Sequence, residues 1–396
     1  MNFNKLLQRV QIKISSFASF QFDYTMSEQV VSHPSLETLQ QAIQDPSAPV
    51  GMRMRAAYYL RQTYERNSND KELQSQVISI LGKDGLLNTE HGSLLRHEFA
   101  YVMGQLRDPD GCPYLQQILA SEHDCIMVRH ECSEALGAIG QLNSVQVLEQ
   151  FANHPRPELS QTCQIAIDFI KWKQSETEDK NLALPPVMAC ACMLSPYNSV
   201  DPAPPMESKQ SVEELGEILR DTSLDLFPRY RAMFSLRNIN SAQSAIELGK
   251  TLVSDTSSAL LRHEVAYVLG QMQNEASIPM LIESLQNLSE HAMVRHESAE
   301  ALGAMCDLGG DAWQRTESVL RDFQLDQDIV IAESCQVALD AADYWGMWTQ
   351  SAPRDDPEAD YDEDETSRVL SFAAQKNNLP SSNSALLNHF NLVQNQ

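Results

Sequence analysis

Two stretches of the chain, LLRHEFAYVMGQL (Leu94–Leu106) and LLRHEVAYVLGQM (Leu260–Met272), are nearly the same thirteen residues written twice. Their Arg-His-Glu triplet recurs in VRHECSEALGAIG (Val128–Gly140) and VRHESAEALGAMC (Val294–Cys306). His97 and His130 are 33 residues apart, as are His263 and His296, whereas His97 to His263 and His130 to His296 each span 166. A short period nested in a long one implies a duplicated half, each half stacked from units of about thirty residues.

Each unit reads as a helix pair. In VRHECSEALGAIG the apolar or small residues Val128, Cys132, Ala135, Leu136 and Ile139 recur at spacings of three and four, which marks one buried helix face. Segments such as GCPYLQQILASE and ASIPMLIESLQN supply the first helix of a pair, and strand signals are scarce. MRMRAAYYLRQ (Met52–Gln62) matches PRYRAMFSLRN (Pro228–Asn238), and SQTCQIAIDFI (Ser160–Ile170) matches AESCQVALDAA (Ala332–Ala342). These four segments lack His-Glu and flank the central pairs, giving about four hairpins per half. The expected fold is all-α: a solenoid that resembles the HEAT-repeat class, in two pseudo-symmetric halves. In that class an Arg in the second helix is a framework residue, which is the reading adopted for Arg96, Arg129, Arg262 and Arg295. The first half carries ten extra residues between its first and second units, around NSNDKELQ, read as a lengthened helix or loop.

The resulting division is an N-terminal extension without folded structure (1–30), a first repeat half (31–175), a proline-rich irregular linker (176–208), a second half (209–348) and an acidic, polar tail (349–396). Residues 1–22 carry Lys5, Arg9 and Lys13 and no acid before Asp23. That resembles a mitochondrial presequence, although the stretch from Met26 has the look of an ordinary start. The tail run RDDPEADYDEDETS offers little apolar surface to offset ordering entropy.

No apolar run approaches the roughly 20 residues of a membrane helix. A net charge of −25 argues against general affinity for nucleic acid or anionic membrane and favours a cationic substrate or basic partner. Eight cysteines scattered without framework spacing read as reduced thiols of a cytoplasmic protein, with the nucleus as a second compartment. Cys190 and Cys192 form a lone C-x-C pair, read as incidental.

Four of the ten histidines precede Glu, in the same register of four units, while the flanking units share the scaffold and lack the pair. Adjacent residues on a helix point about 100° apart, so both can lean toward one space. Second helices of neighbouring units lie roughly 8–10 Å apart, which lets imidazoles from two helices meet at one ion. With the halves opposed about a pseudo-twofold, four imidazoles and four carboxylates surround one cavity, each half holding mainly one ion. Imidazole and carboxylate without thiolate suit iron, manganese or zinc. Two ions so held resemble the di-iron carboxylate sites of helical bundles. The alternatives are an interaction scaffold whose His-Glu pairs bridge helices and a di-metal hydrolase, the latter disfavoured by the absence of H-E-x-x-H. Glu134 and Glu300, four residues beyond His130 and His296, are candidates to bind a substrate ammonium or to orient a histidine, or else are solvated helix residues or partners of an Arg. Gly104 and Gly270, seven residues beyond His97 and His263, either leave room for a substrate arm or pack helices.

The segments HEFAYVMGQ, MVRHECSEALGAIG, HEVAYVLGQ and MVRHESAEALGAM, with SPYNSVDPAPPM between the halves, closely resemble the deoxyhypusine hydroxylase family from Met26 to about Trp348. The extension, the first-half insertion and the acidic tail depart from its compact form. The resemblance implies a monomeric di-iron monooxygenase, with two Fe2+ ions before O2 activation. It would hydroxylate the aminobutyl arm of a deoxyhypusine residue on translation initiation factor 5A, completing hypusine. By motif position, His97, His130, His263 and His296 would be iron ligands. Glu98, Glu131, Glu264 and Glu297 would bind iron or face iron and the substrate amine as catalytic carboxylates. An unactivated C–H bond needs more than side-chain acid–base chemistry, and an acidic cavity favours a cationic polyamine arm.

Overall fold

A computed structural model of the chain describes residues 33–179, 195, 197–206 and 210–350. Among these residues there are sixteen α-helices and no strand. They pair in chain order into eight hairpins. The first half comprises α1 (Leu36–Gln44) with α2 (Val50–Arg66), α3 (Lys71–Ser79) with α4 (Ser93–Leu106), α5 (Cys112–Ala120) with α6 (Ile126–Ile139), and α7 (Leu142–Glu149) with α8 (Pro157–Asp179). The second comprises α9 (Val212–Arg220) with α10 (Leu226–Ile239), α11 (Ala242–Ser254) with α12 (Ala259–Met272), α13 (Ile278–Gln286) with α14 (Ala292–Gly303), and α15 (Gly310–Phe323) with α16 (Ile329–Gln350). Four hairpins per half is the number the repeat spacing predicts.

The triplet's arginine builds the hairpin. Arg96, Arg129 and Arg295 each donate Nε to the carbonyl ten residues earlier, on Leu86, Leu119 and Leu285 (2.8, 3.1 and 2.9 Å). Arg96, Arg262 and Arg295 also bond an acid in the next turn: Asp124, Glu290 and Asp326. A guanidinium with five fixed donors can close a hairpin and tie it to its neighbour at once. Arg229, in a flanking unit without His-Glu, does the same to Leu219 (2.8 Å), so the arginine belongs to the frame.

Close helix approach explains the small residues. A Cβ on Gly104 would lie 2.9 Å from the Cα of Ala135, and one on Gly137 would lie 2.8 Å from the Cβ of Ala166. Gly104 therefore packs α4 against α6 and makes no room for a substrate. Gly270 is buried within α12 and is not among the residues lining the cavity described below. The packing reading therefore holds for Gly104.

The stack closes on itself. Helix α8 packs on α10 and α12, and α16 packs on α2 and α4. Ile165 of α8 is buried in the apolar core of the second half, and Val337 of α16 in that of the first. The two occupy the same position in the matched segments SQTCQIAIDFI and AESCQVALDAA, so the halves exchange one aliphatic side chain each. Burying such a side chain is worth roughly 1.5–3 kcal/mol. Polar bonds join the same seams: Arg55 to Asp340, Ser258 to Gln161 (2.8 Å) and His291 to Glu158 (2.8 Å).

Three sequence readings are refined. The ten extra residues are not one lengthened element. They are spread over a longer α2, two longer connections and a π-helical run, Ile80–Leu86, that prolongs α3. Helices α8 and α16 run to Asp179 and Gln350, past the expected limits at 175 and 348. Within the linker, residues 197–206 are irregular but anchored, with Tyr197 and Ala203 buried. The 1–30 extension, Cys190 and Cys192, and the tail beyond Gln350 lie outside the described residues. No helix among the described residues is long and apolar enough to cross a membrane.

Candidate metal centre

The second helices of the four central hairpins, α4, α6, α12 and α14, bring all four His-Glu pairs to one buried space. None of the eight side chains belongs to a residue more than 7% exposed. Ring centroids of His97–His130, His97–His296, His130–His263 and His263–His296 are each 5.4 Å apart, and those of His97–His263 6.2 Å. Two groups could hold an ion, with ligand atoms all within 4.8 Å of one another: His97, His130 and Glu131, and His97, His263 and His296. The first lies within one half. The second spans both, so the expected division of one ion per half is not strict in the side-chain geometry.

The polar atoms fit such an occupant. Both ring nitrogens of His130, His263 and His296, and Nε2 of His97, are buried without a hydrogen-bond partner. Leaving buried polar groups unmet is costly, so seven unmatched nitrogens on four clustered imidazoles point to a ligand. Carboxylates stand close without completing those bonds: Glu131 is 3.1 Å from His97 Nε2, and Glu297 is 3.5 Å from His263 Nε2. Mixed imidazole and carboxylate donors with no thiolate suit a first-row metal.

Electrostatics prepares the donors. Burial and the neighbouring imidazoles hold His130 and His263 well below the ordinary histidine range, and His296 falls to about 3. These rings are neutral, with lone pairs available. His97 goes the other way: burial opposes its charge, but Glu131 and Glu98 prevail and raise it. Burial, together with Glu131 and Asp201, pushes Glu264 up to about 8, and burial pushes Glu300 up to about 7. Glu134 and Glu297 are raised by burial and by the surrounding acids. Carboxyl groups that resist ionising together accept a cation readily, and its binding then releases protons.

Both Glu134 and Glu300 line the cavity, and burial of Glu300 sets aside the reading of a solvated helix residue there. They differ in engagement. Glu300 is buried, accepts from Ser334 Oγ (3.2 Å) and lies 3.5 Å from His296 Nδ1. Glu134 is half-buried on the cavity wall.

Several lining residues went unnoticed in the sequence. Tyr58 donates to Glu98 Oε2 (2.6 Å), and Phe234 occupies its position in the second half, so the two halves of the centre are not equivalent. Tyr101 and Tyr267 lie four residues beyond His97 and His263, and their hydroxyls meet at 3.0 Å across the halves. The spacing that singles out Glu134 and Glu300 also reaches these tyrosines. The linker forms the outer wall through Val200, Asp201 and Pro202.

Comparison with known proteins agrees with this architecture. A family model of HEAT repeats matches residues 84–167, 212–303 and 247–339, together more than half of the chain. A solved structure of human deoxyhypusine hydroxylase, in complex with glycerol, is 38% identical, with a TM-score of 0.66 over 78% of this chain and 96% of that one. The chain belongs to the deoxyhypusine hydroxylase family. Curated relatives carry the same name. The protein of Kluyveromyces lactis is 39% identical over 216 residues, 53% of this chain and 63% of that protein. The mouse protein is 38% identical over 215 residues, 53% of this chain and 62% of that protein. That of Debaryomyces hansenii is 38% identical over 223 residues, 54% of this chain and 67% of that protein. The aligned sequence thus spans just under two thirds of the first and second of these.

Proposed function

We propose that this chain is a deoxyhypusine hydroxylase, adding an oxygen atom to the deoxyhypusine side chain of translation initiation factor 5A. The observation that carries the reading is the set of seven buried, unpartnered imidazole nitrogens interleaved with carboxylates, in a chain of this family. Two irons would be held by His97, His130, His263 and His296 with Glu98, Glu131, Glu264 and Glu297. Iron bound there supplies the redox chemistry: with two electrons from an external donor, one atom of O2 enters the C–H bond as hydroxyl and the other leaves as water.

The chain's own groups do the rest. Tyr58 fixes the Glu98 carboxylate through its hydroxyl, and Glu300, 3.5 Å from His296 Nδ1, stands where it can steer that ring. Glu134, on the cavity wall, receives the ammonium group of the substrate arm, and the remaining acids make the cavity attractive to a polyamine. The Tyr101–Tyr267 pair and the strap at Val200–Pro202 keep bulk water from the reacting carbon. A cytoplasmic location follows from this assignment, because the substrate is a translation factor.

The test is incubation of iron-loaded protein with the deoxyhypusine form of the factor, a reductant and oxygen, followed by mass analysis of the modified residue. A gain of one oxygen atom is expected. An unchanged mass with iron in place would overturn the assignment.

A further inference from the structure

Both halves bond the strap across the cavity, but only the second half pairs a guanidinium with its acid. Arg237, fully buried in α10, donates to both carboxylate oxygens of Asp201 (2.8 and 2.6 Å) and to Gln271 (2.9 Å). Its guanidinium also lies 4.7 and 4.8 Å from the ring centroids of Tyr197 and Phe234. In the matched segments MRMRAAYYLRQ and PRYRAMFSLRN its counterpart is Arg61, and the counterpart of Gln271 is Gln105. Arg61 pairs instead with Glu65 (2.9 Å), while Gln105 accepts the backbone N–H of Val200 (2.8 Å). On the Arg61 side there is an open cleft of about 340 Å³, walled by Arg107, Trp172, Lys173 and the strap.

This cleft carries unbalanced positive charge. Its acids Glu65 and Asp201 are held by Arg61 and Arg237. Among the described residues, neither Arg107 nor Lys173 has a carboxylate partner. Burial depresses the Lys173 ammonium, and Arg107 adds to the effect, so the two cations feel each other. Arg107 sits in the left-handed region (φ 54°) at the end of α4, where its counterpart Gln273 takes the same conformation (φ 47°) with a neutral side chain. The backbone requirement is common to both halves, and the charge is peculiar to this one. In a protein of net charge −25 such a patch is exceptional. The cleft also shares Gln105, Val200 and Asp201 with the wall of the metal cavity, so it opens beside the path a substrate arm must take.

We propose that this cleft docks an acidic residue of the protein substrate, whose carboxylate lies against Arg107 and Lys173 as that of Asp201 lies against Arg237, while the modified side chain enters past Gln105. The inference rests on the proposed activity for the identity of the substrate, and on geometry for the site. Charge complementarity at the rim orients a partner and speeds its encounter. Here it fixes which way the protein substrate lies across the mouth.

The test is direct binding of the deoxyhypusine form of the factor to iron-loaded full-length protein, with steady-state kinetics alongside. In the double variant Arg107→Glu/Lys173→Glu, Kd and KM should each rise roughly tenfold or more, and the salt dependence of Kd should weaken. Lys171→Glu, an exposed neighbour on the same helix, should change neither and controls for net charge. Kd and KM equal to those of the native chain would overturn the proposal, as would a native chain that does not bind the factor. A second comparison replaces the tail acids between Asp355 and Glu365 by amides in the full chain. If charge reversal then no longer weakens binding, the cleft serves the chain's own tail and the proposal fails. A factor that binds tightly but is not oxidised would count against the activity and leave the docking result standing.

Discussion

The central and flanking hairpins share one scaffold and put it to different uses. Arg229 bonds the Leu219 carbonyl as Arg96 bonds that of Leu86, which aligns the two kinds of unit residue by residue. Where the central unit then has His97 and Glu98, the flanking unit has Tyr230 and Arg231, and the matched first unit has Met54 and Arg55. Met54 and Tyr230 fill apolar cores. Arg231 bonds carbonyls of the strap at Pro204 and Pro205, and Arg55 pairs with Asp340 across the seam. One register position therefore holds the site together in four units and the ring together in others. The triplet's arginine makes the hairpin, and the two residues after it decide what the hairpin is for.

That division predicts separable effects. His130→Ala should lower turnover at least about a hundredfold and reduce bound metal, because a ligand matters more than an outer-sphere partner. Helix content by circular dichroism should stay near native, since the apolar face builds the helix. Collapse of the fold would mean that the histidine is chiefly structural. Arg229→Ala should do the reverse. It removes the cation paired with the buried Asp255 carboxylate, which keeps its bonds from Ser257 and Ser258, and the donor to the Leu219 carbonyl, at a cost of roughly 3 kcal/mol, with metal per folded molecule unchanged. Denaturant unfolding paired with metal analysis reads both quantities.

Ile165→Ala tests the seam. It removes an aliphatic group that one half lends to the core of the other, at roughly 2–5 kcal/mol. The two halves should then unfold in separate steps where the native chain unfolds in one. A smaller effect, confined to the site, is expected of Tyr58→Phe, which deletes the donor to Glu98: metal affinity should fall about tenfold, and stability without metal should barely move. The equivalent position is already Phe234 in the second half, so an unchanged affinity would mean that the two halves of the centre behave alike.

The smallest effect is the acid response of the frame. Burial opposes ionisation of Asp255 and Asp326, but bonds from Arg229, Arg295 and nearby groups outweigh it and lower both below 3.8. A folded value below the unfolded one stabilises above pH 3.8, and that stability is lost as the pH falls through the folded values. Replacing both aspartates by asparagine should therefore flatten the stability profile below about pH 4 and leave it parallel to native above pH 5.

Much of this was legible in the chain itself. Nested periods of 33 and 166 residues gave eight hairpins, and four His-Glu pairs in register marked the candidate site, because a repeat that keeps its scaffold while changing two residues exposes those two. Other features left no local trace. Gly104 looks like space for a ligand until Ala135 is found against it. The π-helical run at Ile80–Leu86 has no periodic signature distinct from an α-helix with an insertion. The clasp joins Asp201 of the proline-rich segment to Arg237 of α10, 36 residues on, and nothing near either residue announces the other. Ile165 and Val337 read as ordinary core positions of their own halves, and only the closed ring shows that they have crossed.

The account turns on metal ions lying among the four central hairpins. Anomalous diffraction at the iron edge, from crystals of the native chain loaded with Fe2+ without oxygen, tests it most directly. Two peaks are expected inside the ring, each with imidazole nitrogens from the set His97, His130, His263 and His296 and with at least one neighbouring glutamate. Peaks confined to the surface, or iron held without any of these histidines, would contradict it.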